Sequence, residues 1–264
     1  MKKKIIWASV IAFLILEILI GINIKPDMSS IGEARHKFHS IAGHELPFGG
    51  INVPTMYVTW GVMAFIIILA LLAMRNVKLV PGRLQLVFEM FVGAFDKLCS
   101  DTLGERGRKF MPLVASLFIF ICLCNWVGLI PLGWEEPTSD LNTTLGLGII
   151  CFFVSHGAAI RYKGIKKYIL DYFEPMIEIK GVKIPNVVFM PLNVVGEIGK
   201  LISHSFRLYG NILGGAIIMQ VVSNLVRYIA LPVGLNLFFG LFVGAVQAFV
   251  FSMLALTYVS VLVE

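Results

Sequence analysis

The feature that most constrains this chain is a succession of long apolar runs. A helix needs about 20 mostly apolar residues to cross the roughly 30 Å hydrocarbon layer of a membrane. Four runs have about that length and two are longer: residues 5–22, 57–74, 110–130, 145–160, 187–226 and 235–263. With 58% hydrophobic and only 14% charged residues, the chain has too few charged side chains to cover the surface of a water-soluble globular protein of this size. The sequence predicts an all-α, polytopic membrane protein with about five to six membrane helices, and excludes a soluble enzyme or a nucleic-acid-binding protein.

The run over residues 187–226 is about twice as long as one perpendicular crossing requires. As a single helix at about 1.5 Å per residue it would extend about 60 Å. After Pro191 the run holds no further Pro and no Asn-Gly pair that would break it. We therefore predict one long helix, strongly tilted across the bilayer, that forms a hairpin with a second long tilted helix over residues 235–263.

The distribution of Lys and Arg predicts the orientation of the chain. Sixteen of them lie in residues 2–4, 75–109 and 161–183, whereas the alternate connections hold four. Because cytoplasmic connections are rich in Lys and Arg, we expect the N-terminal Lys cluster and the C-terminus in the cytoplasm. Residues 128–142, which are acidic, are then expected outside.

We expect a single integral membrane domain over residues 1–264. Residues 1–22 form an N-terminal anchor or a signal-like segment, since a Lys cluster before an apolar run describes both. Residues 23–54 form an external loop, and residues 55–264 the main membrane region. Residues 77–109 alternate apolar and charged positions. This pattern predicts an amphipathic helix on the cytoplasmic surface that begins at Pro81.

Five polar side chains lie inside the longest run at helical spacing. Separated by 3, 4, 3 and 4 residues, and with Ser203 beside them, they are Glu197, Lys200, His204, Arg207 and Asn211. This spacing predicts that they share one helical face. Arg207 is near the centre of the run and cannot lose its proton, so it must face water, a carboxylate or both. A structural alternative pairs Glu197 with Lys200 and lets Arg207 extend towards the membrane surface.

Small residues follow Arg207 on the same helix and recur in the last segment. They are Gly210, Gly214 and Gly215, with Gly240 and Gly244 in the last segment. Small residues at this spacing permit close helix approach. Packing between the two long helices and contact with another protein both fit the pattern.

Several motifs, in order along the chain, resemble one family. Residues 205–211, Ser-Phe-Arg-Leu-Tyr-Gly-Asn, resemble the Arg-Leu-Phe-Gly-Asn signature of subunit a of the F-type rotary ATP synthase. Further segments resemble the second helix, the middle hairpin and the final helix of that family: residues 80–85, 125–131, 139–143, 247–251 and 258–260. The resemblance covers about residues 55–264.

This resemblance implies a stator subunit that is not catalytic on its own, in a bacterial inner membrane. Its two long helices would wrap a ring of c subunits, each carrying a carboxylate at mid-membrane. Two half-channels would pass H+ or Na+ to and from those carboxylates, and so couple ion flow to rotation and ATP synthesis. The implied partners are the c-ring, the b subunits of the peripheral stalk, the remaining ATP synthase subunits and membrane lipid; no cofactor is expected.

The resemblance also implies roles for single residues. Arg207 is the essential group, while Asn211 and Gln247 match family positions that flank it and line the ion path. Helical spacing extends this to the cytoplasmic side of the same face with Glu197, Lys200, Ser203 and His204. Asp140 and Asn142 are expected near the outer half-channel, although capping of a local turn explains them equally well.

One departure from the family bears on the transported ion. Many proton-coupled relatives carry a Glu and His pair, five residues after the signature Asn and seven before the Gln. Here those positions are Ala216 and Gly240. Without titratable groups there, Na+, which needs oxygen ligands and water, is as good a candidate as H+.

Other function classes are less well supported by the sequence. A membrane enzyme would need a motif such as HExxH or a Gly-rich phosphate loop, and none is present. A stand-alone ion transporter or channel would predict inverted repeats and interrupted helices, which are not visible. The external His36, His39, His44 and Glu45 match no standard metal-ligand spacing, and the four cysteines show no paired CxxC motif.

Overall fold

The computed structural model describes residues 53–75, 82–130, 136–173, 177–179, 182–184, 189–225 and 234–263. Within them the α-helices are α1 (Val53–Met74), α2 (Arg83–Leu103), α3 (Met111–Val127), α4 (Leu141–Lys163), α5 (Ile165–Asp171), α6 (Phe189–Leu225) and α7 (Gly244–Val263). The other elements are two 3₁₀ segments, Gly104–Lys109 and Pro137–Ser139, a π-helical segment, Leu237–Val243, and strands β1 (Ile177–Ile179) and β2 (Val182–Ile184). The predicted anchor, residues 1–22, and external loop, residues 23–54, lie outside the described residues apart from the loop's last two.

The all-α, polytopic prediction is confirmed. By length and composition, three helices in the described ranges can cross a membrane: Thr55–Ala73, Leu141–Lys163 and Gly234–Val263. A fourth is counted if Gln85–Lys109 and Met111–Val127, which are bent by 112° at their junction, form one span. This sharp bend turns α2 away from the axis of α3, as expected of an amphipathic helix that lies along a membrane surface.

The predicted continuity of the longest run is confirmed. Its helix, α6, has 37 residues without a break and is therefore about 56 Å long. The tilt of α6 across a bilayer stays a prediction. The second long segment is helical as well, from Gly234 to Val263, with a π-helical turn at Leu237–Val243 before it continues as α7.

A short β-hairpin in the connection between α5 and α6 was not predicted. Strands β1 and β2 pair antiparallel, with Ile177 opposite Ile184 and Ile179 opposite Val182. The sequence signal is an alternation of apolar and polar residues around a Gly, which is typical of a hairpin.

The largest buried cluster lies where α3, α4, α6 and α7 meet. Ile121 from α3, Leu208 from α6 and Phe251 from α7 are almost completely buried there. Helix α4 approaches α6 closely at Gly148, where a Cβ atom would overlap the hydroxyl of Ser205. These contacts fix the rotation of α6 about its own axis, since Leu208 has to face the cluster.

The glycines of the last segment make room for α3 and for the residues that directly follow it, and not for α6. A Cβ atom on Gly244 would lie 2.9 Å from the Cβ of Asn125, and one on Gly240 would overlap the side chain of Leu129. On α6, a Cβ on Gly215 would meet the ring of Phe239 at 3.3 Å. Packing within the chain thus explains three of the five glycines that the sequence singled out.

Two neighbouring side chains of α3 bind the main chain where the π-helical segment joins α7. The amide of Asn125 donates to the carbonyl oxygen of Gly244 at 2.8 Å, and the indole of Trp126 donates to that of Leu241 at 3.3 Å. The amide oxygen of Asn125 accepts a hydrogen bond from Thr138 at 2.5 Å, and both side chains are fully buried. Asn125 therefore joins α3, the Pro137–Ser139 turn and α7 through satisfied polar contacts.

We expect Asn125→Ala to lower the free energy of unfolding by about 1–3 kcal/mol, because it leaves Thr138 and the Gly244 carbonyl without their partner. Thr138→Val should lower it less, and the double variant should fall short of the sum by about 1 kcal/mol. Unfolding of the purified subunit in mixed micelles measures these differences. Ser116→Ala, which removes an exposed hydroxyl of the same helix, is the control. Strict additivity of the two changes would contradict the shared contact.

Candidate functional site

Arg207 lies at the midpoint of α6, equally far from both ends of the helix, and its side chain is exposed on the surface of the chain. In the described part of the chain, no carboxylate lies within 4 Å of its guanidinium. Leu208, the next residue, is buried in the central cluster, which turns Arg207 away from it. The cation is thus presented outward, away from its own helix bundle.

Small residues form an open strip on α6 around Arg207. The strip runs along one helical face at spacings of 3, 4, 4, 3 and 4 residues and consists of Gly196, Gly199, Ser203, Arg207, Gly210 and Gly214. A Cβ atom added to any of the four glycines would meet nothing within 4 Å. The strip is therefore a shallow surface on which another helix could approach the backbone closely.

Glu197 and Lys200 form an ion pair, with Nζ to Oε1 at 2.6 Å. The structural alternative considered from the sequence is correct for this pair. The Glu197 carboxylate is thus paired with a Lys one helical turn away, and it does not pair with Arg207.

A cavity of about 350 Å³, here called the Lys200 cavity, lies beside this ion pair. Glu197 and Lys200 line it from α6, while Tyr168 and Tyr172 line it from α5 and the turn that follows. The two tyrosine hydroxyls are 2.9 Å apart, and that of Tyr168 lies 3.2 Å from Nδ1 of His156 in α4. The cavity therefore has a polar wall at the N-terminal end of α6.

A second cavity of about 260 Å³, here called the Glu136 cavity, lies on the other side of Arg207 along α6. Asn211 and Ala216 line it from α6, and Asn236 and Gly240 from the start of the last segment. Glu136 enters it from the connection between α3 and α4. The two cavities are contacted by residues 192–200 and 211–219 of α6, so Arg207 lies between them.

His204 departs from the expected arrangement. Its ring is buried between α6 and α7, with its centre 3.8 Å from that of Phe251 and 5.4 Å from that of Tyr258. The described residues supply no hydrogen-bond partner to either ring nitrogen. The five polar residues therefore do not share one open face: His204 packs inward, whereas Ser203, Arg207 and Asn211 are exposed.

Asp140 and Asn142 form the cap of α4. The carboxylate of Asp140 accepts from the backbone N–H of Asn142 at 2.9 Å and from the hydroxyl of Thr55 at 3.3 Å. Turn capping, the alternative raised from the sequence, is thus correct, and a role near an outer channel stays a prediction for both residues. Gln247 lies half-buried on α7, and its role in the ion path also stays a prediction.

Two parts of this site were not predicted from the sequence. Gly196 and Gly199 extend the strip of small residues, and their spacing from Arg207 could have been read from the sequence. Glu136 could not, because only the fold brings the connection between α3 and α4 next to Asn211. Burial there raises the pKa of the Glu136 carboxyl to about 7.

The fold and the site define a polytopic, α-helical membrane protein with a cation presented from the middle of its longest helix. The family described as ATP synthase A chain matches residues 56–260. The ATP synthase subunit a of Geotalea daltonii is 34% identical over 201 residues, which cover 76% of this chain and 83% of that protein. The subunit a of Desulfosudis oleivorans is 33% identical over 211 residues, 80% of this chain and 88% of that protein.

A third relative, the ATP synthase subunit a of Acidothermus cellulolyticus, is 36% identical over 185 residues, covering 68% of this chain and 65% of that protein. The chain belongs to the ATP synthase subunit a family. The resemblance drawn from the ordered motifs is confirmed.

We expect His204→Ala to destabilise the subunit by about 3 kcal/mol, because it empties the space that the ring fills against Phe251. His204→Phe should keep most of the stability, since it preserves the aromatic contacts. Thermal loss of the subunit from purified complexes measures both. Equal stability of the two variants would show that ring packing is not what holds His204 in place.

Proposed function

We propose that this chain is the stator subunit of the membrane sector of an F-type ATP synthase. It passes H+ or Na+ through two half-channels to and from carboxylates on a c-ring, and so couples ion flow to rotation and ATP synthesis. Membership of the subunit a family supports this proposal. The observation that carries it is the exposed Arg207 at the middle of α6, with one cavity on each side.

Each cavity takes the part of one half-channel. The Lys200 cavity lies next to the connection rich in Lys and Arg, which the positive-inside rule assigns to the cytoplasm. The Glu136 cavity lies next to the acidic connection on the opposite side. Neither cavity includes Arg207 among its lining residues, so an ion has to leave one cavity on the ring and return through the other.

The charge of Arg207 drives the exchange on the ring. An opposite charge within about 4–6 Å lowers the pKa of a carboxyl by about 1–3, so an approaching ring carboxylate gives up its ion. At about 4 Å and an effective dielectric constant near 20, the attraction is about 4 kcal/mol. The same fixed positive charge opposes the direct passage of a cation from one cavity to the other.

The strip of small residues supports the contact with the ring. Because Gly199, Ser203 and Gly210 carry little or no side chain beside Arg207, a ring helix can approach close enough for its carboxylate to reach the guanidinium. Arg207 then needs no carboxylate from its own chain. The remaining partners are the b subunits of the peripheral stalk and the other ATP synthase subunits. The chain has no catalytic role of its own, and its N-terminal Lys cluster and C-terminus face the cytoplasm of a bacterial cell.

The transported ion is H+ or Na+, and two measurements on the purified complex separate them. With Na+, ATP hydrolysis rises with added Na+, and Na+ protects the ring carboxylates from a carboxyl-modifying reagent. With H+, pumping proceeds in sodium-free buffer, and added Na+ leaves it unchanged.

We expect Arg207→Ala to abolish ion-driven ATP synthesis, a loss of about a thousandfold if the full attraction of about 4 kcal/mol disappears. Arg207→Lys should fail as well, because an ammonium is compact, strongly hydrated and able to lose its proton. Synthesis in reconstituted vesicles measures both. Arg161→Lys, an exposed change at the end of α4, is the matched control. Normal synthesis rates in either Arg207 variant would refute the proposed function.

A further inference from the structure

Two helical positions that line the Glu136 cavity, 216 on α6 and 240 in the last segment, carry no titratable side chain. Position 216 is Ala, which is exposed in the cavity and leaves room there. Position 240 is Gly, and the side chain of Leu129 occupies the space that a Cβ atom would need. The packing of Leu129 against the last segment therefore keeps position 240 free of a side chain.

Glu136 places a carboxyl in this same cavity from a different element. Among the lining residues that the structure describes, it is the one titratable group. The other polar lining groups are the amides of Asn211 and Asn236, which face it from α6 and from the last segment. The two residues that follow α3, Gly128 beside Glu136 and Leu129 beside Gly240, carry no charge.

The position of Glu136 is built into the connection. Its carbonyl oxygen accepts hydrogen bonds from the backbone N–H of Ser139 at 3.0 Å and from the Ser139 hydroxyl at 2.7 Å. Its carboxyl packs directly on Gly128, where a Cβ atom would overlap Oε1. A glycine at position 128 is thus what lets the carboxyl reach the cavity.

The environment suits exchange of a proton near neutral pH. Burial raises the pKa of Glu136 to about 7, so the carboxyl is protonated below that pH and ionised above it. A group with a pKa near the working pH both accepts and releases a proton readily.

We propose that Glu136 is the proton-exchanging group of the outer half-channel, in place of the side chains that positions 216 and 240 lack. The inference rests on the stator function proposed above and selects H+ as the transported ion. Its carboxylate takes a proton from hydronium in the outer water, leaving a carboxylic acid and water. The acid then releases that proton to water in the cavity beside Asn211, from where it reaches the ring carboxylate, and the Glu136 carboxylate is restored.

The test uses the complete ATP synthase in vesicles, with synthesis measured at a fixed driving force while the pH of the compartment facing Glu136 varies. We expect the wild-type rate to fall as that pH rises through about 7, because the protonated donor is lost. Glu136→Gln keeps the shape of the side chain but cannot exchange a proton. It should lower the rate by about a hundredfold, the lower end of what a positioned acid contributes, and remove this pH dependence.

Two further variants separate proton exchange from packing. Glu136→Gln combined with Ala216→Glu returns a carboxyl to the same cavity from α6 and should restore most of the rate, together with a pH dependence. Glu105→Gln, an exposed carboxyl of the Gly104–Lys109 segment, should leave rate and pH profile unchanged. All rates are expressed per assembled complex, so that reduced assembly does not count as reduced exchange.

The outcomes distinguish this inference from the proposed function. Loss of synthesis in Arg207→Ala with wild-type rate and pH profile in Glu136→Gln overturns the role of Glu136 alone. Low rates in Glu136→Gln that the added Ala216→Glu change does not raise also overturn it, since they point to a structural role. Stimulation by Na+ of synthesis in the wild type, with no pH dependence near 7, overturns the proton assignment. Normal synthesis in Arg207→Ala overturns the proposed function itself.

Discussion

The structure is organised around a cation, Arg207, that no carboxylate in the described part of the chain neutralises. An Arg at the centre of a membrane helix costs from about 2.5 to more than 10 kcal/mol, and it persists only where water or a carboxylate receives it. Glu197, the acid nearest to Arg207 on α6, is already paired with Lys200 at 2.6 Å. Arg207 therefore has no carboxylate partner among the described residues, and it lies on the side of α6 where the strip of small residues is open.

The helix bundle determines which way that cation points. His204 and Leu208 pack inward on the cluster shared with α7, and Gly148 lets α4 approach α6 at Ser205. With these contacts made, Arg207 can only lie on the outer side of α6. The packed face of α6 therefore fixes the position of its open face. The core contacts hold the Arg207 side chain outward, at a point on α6 between the two cavities.

Sequence periodicity predicted most of the fold, including the membrane helices, the unbroken α6 and the amphipathic α2. Helical spacing gives only the angles of side chains relative to one another, so it could not predict which of the polar residues of α6 face a neighbouring helix. In the structure His204 packs inward, whereas Arg207 is exposed. Nor could the spacing assign the neighbours of Gly240 and Gly244, which are Leu129 and Asn125. Glu136 was beyond reach for the same reason, since its neighbours come from distant segments. The β-hairpin was missed although its alternating pattern was readable.

The π-helical segment Leu237–Val243 has a geometric consequence for the whole last segment. A π-turn closes an i→i+5 hydrogen bond and so accommodates about one residue more than an α-turn. Side chains before and after it consequently have different angular phase about the helix axis. Asn236 can border the Glu136 cavity while Ala248 and Phe251 keep their place in the core. Shortening this turn by one residue would rotate one half of the segment against the other by about 100°, so the cavity wall and the core seam could no longer coexist.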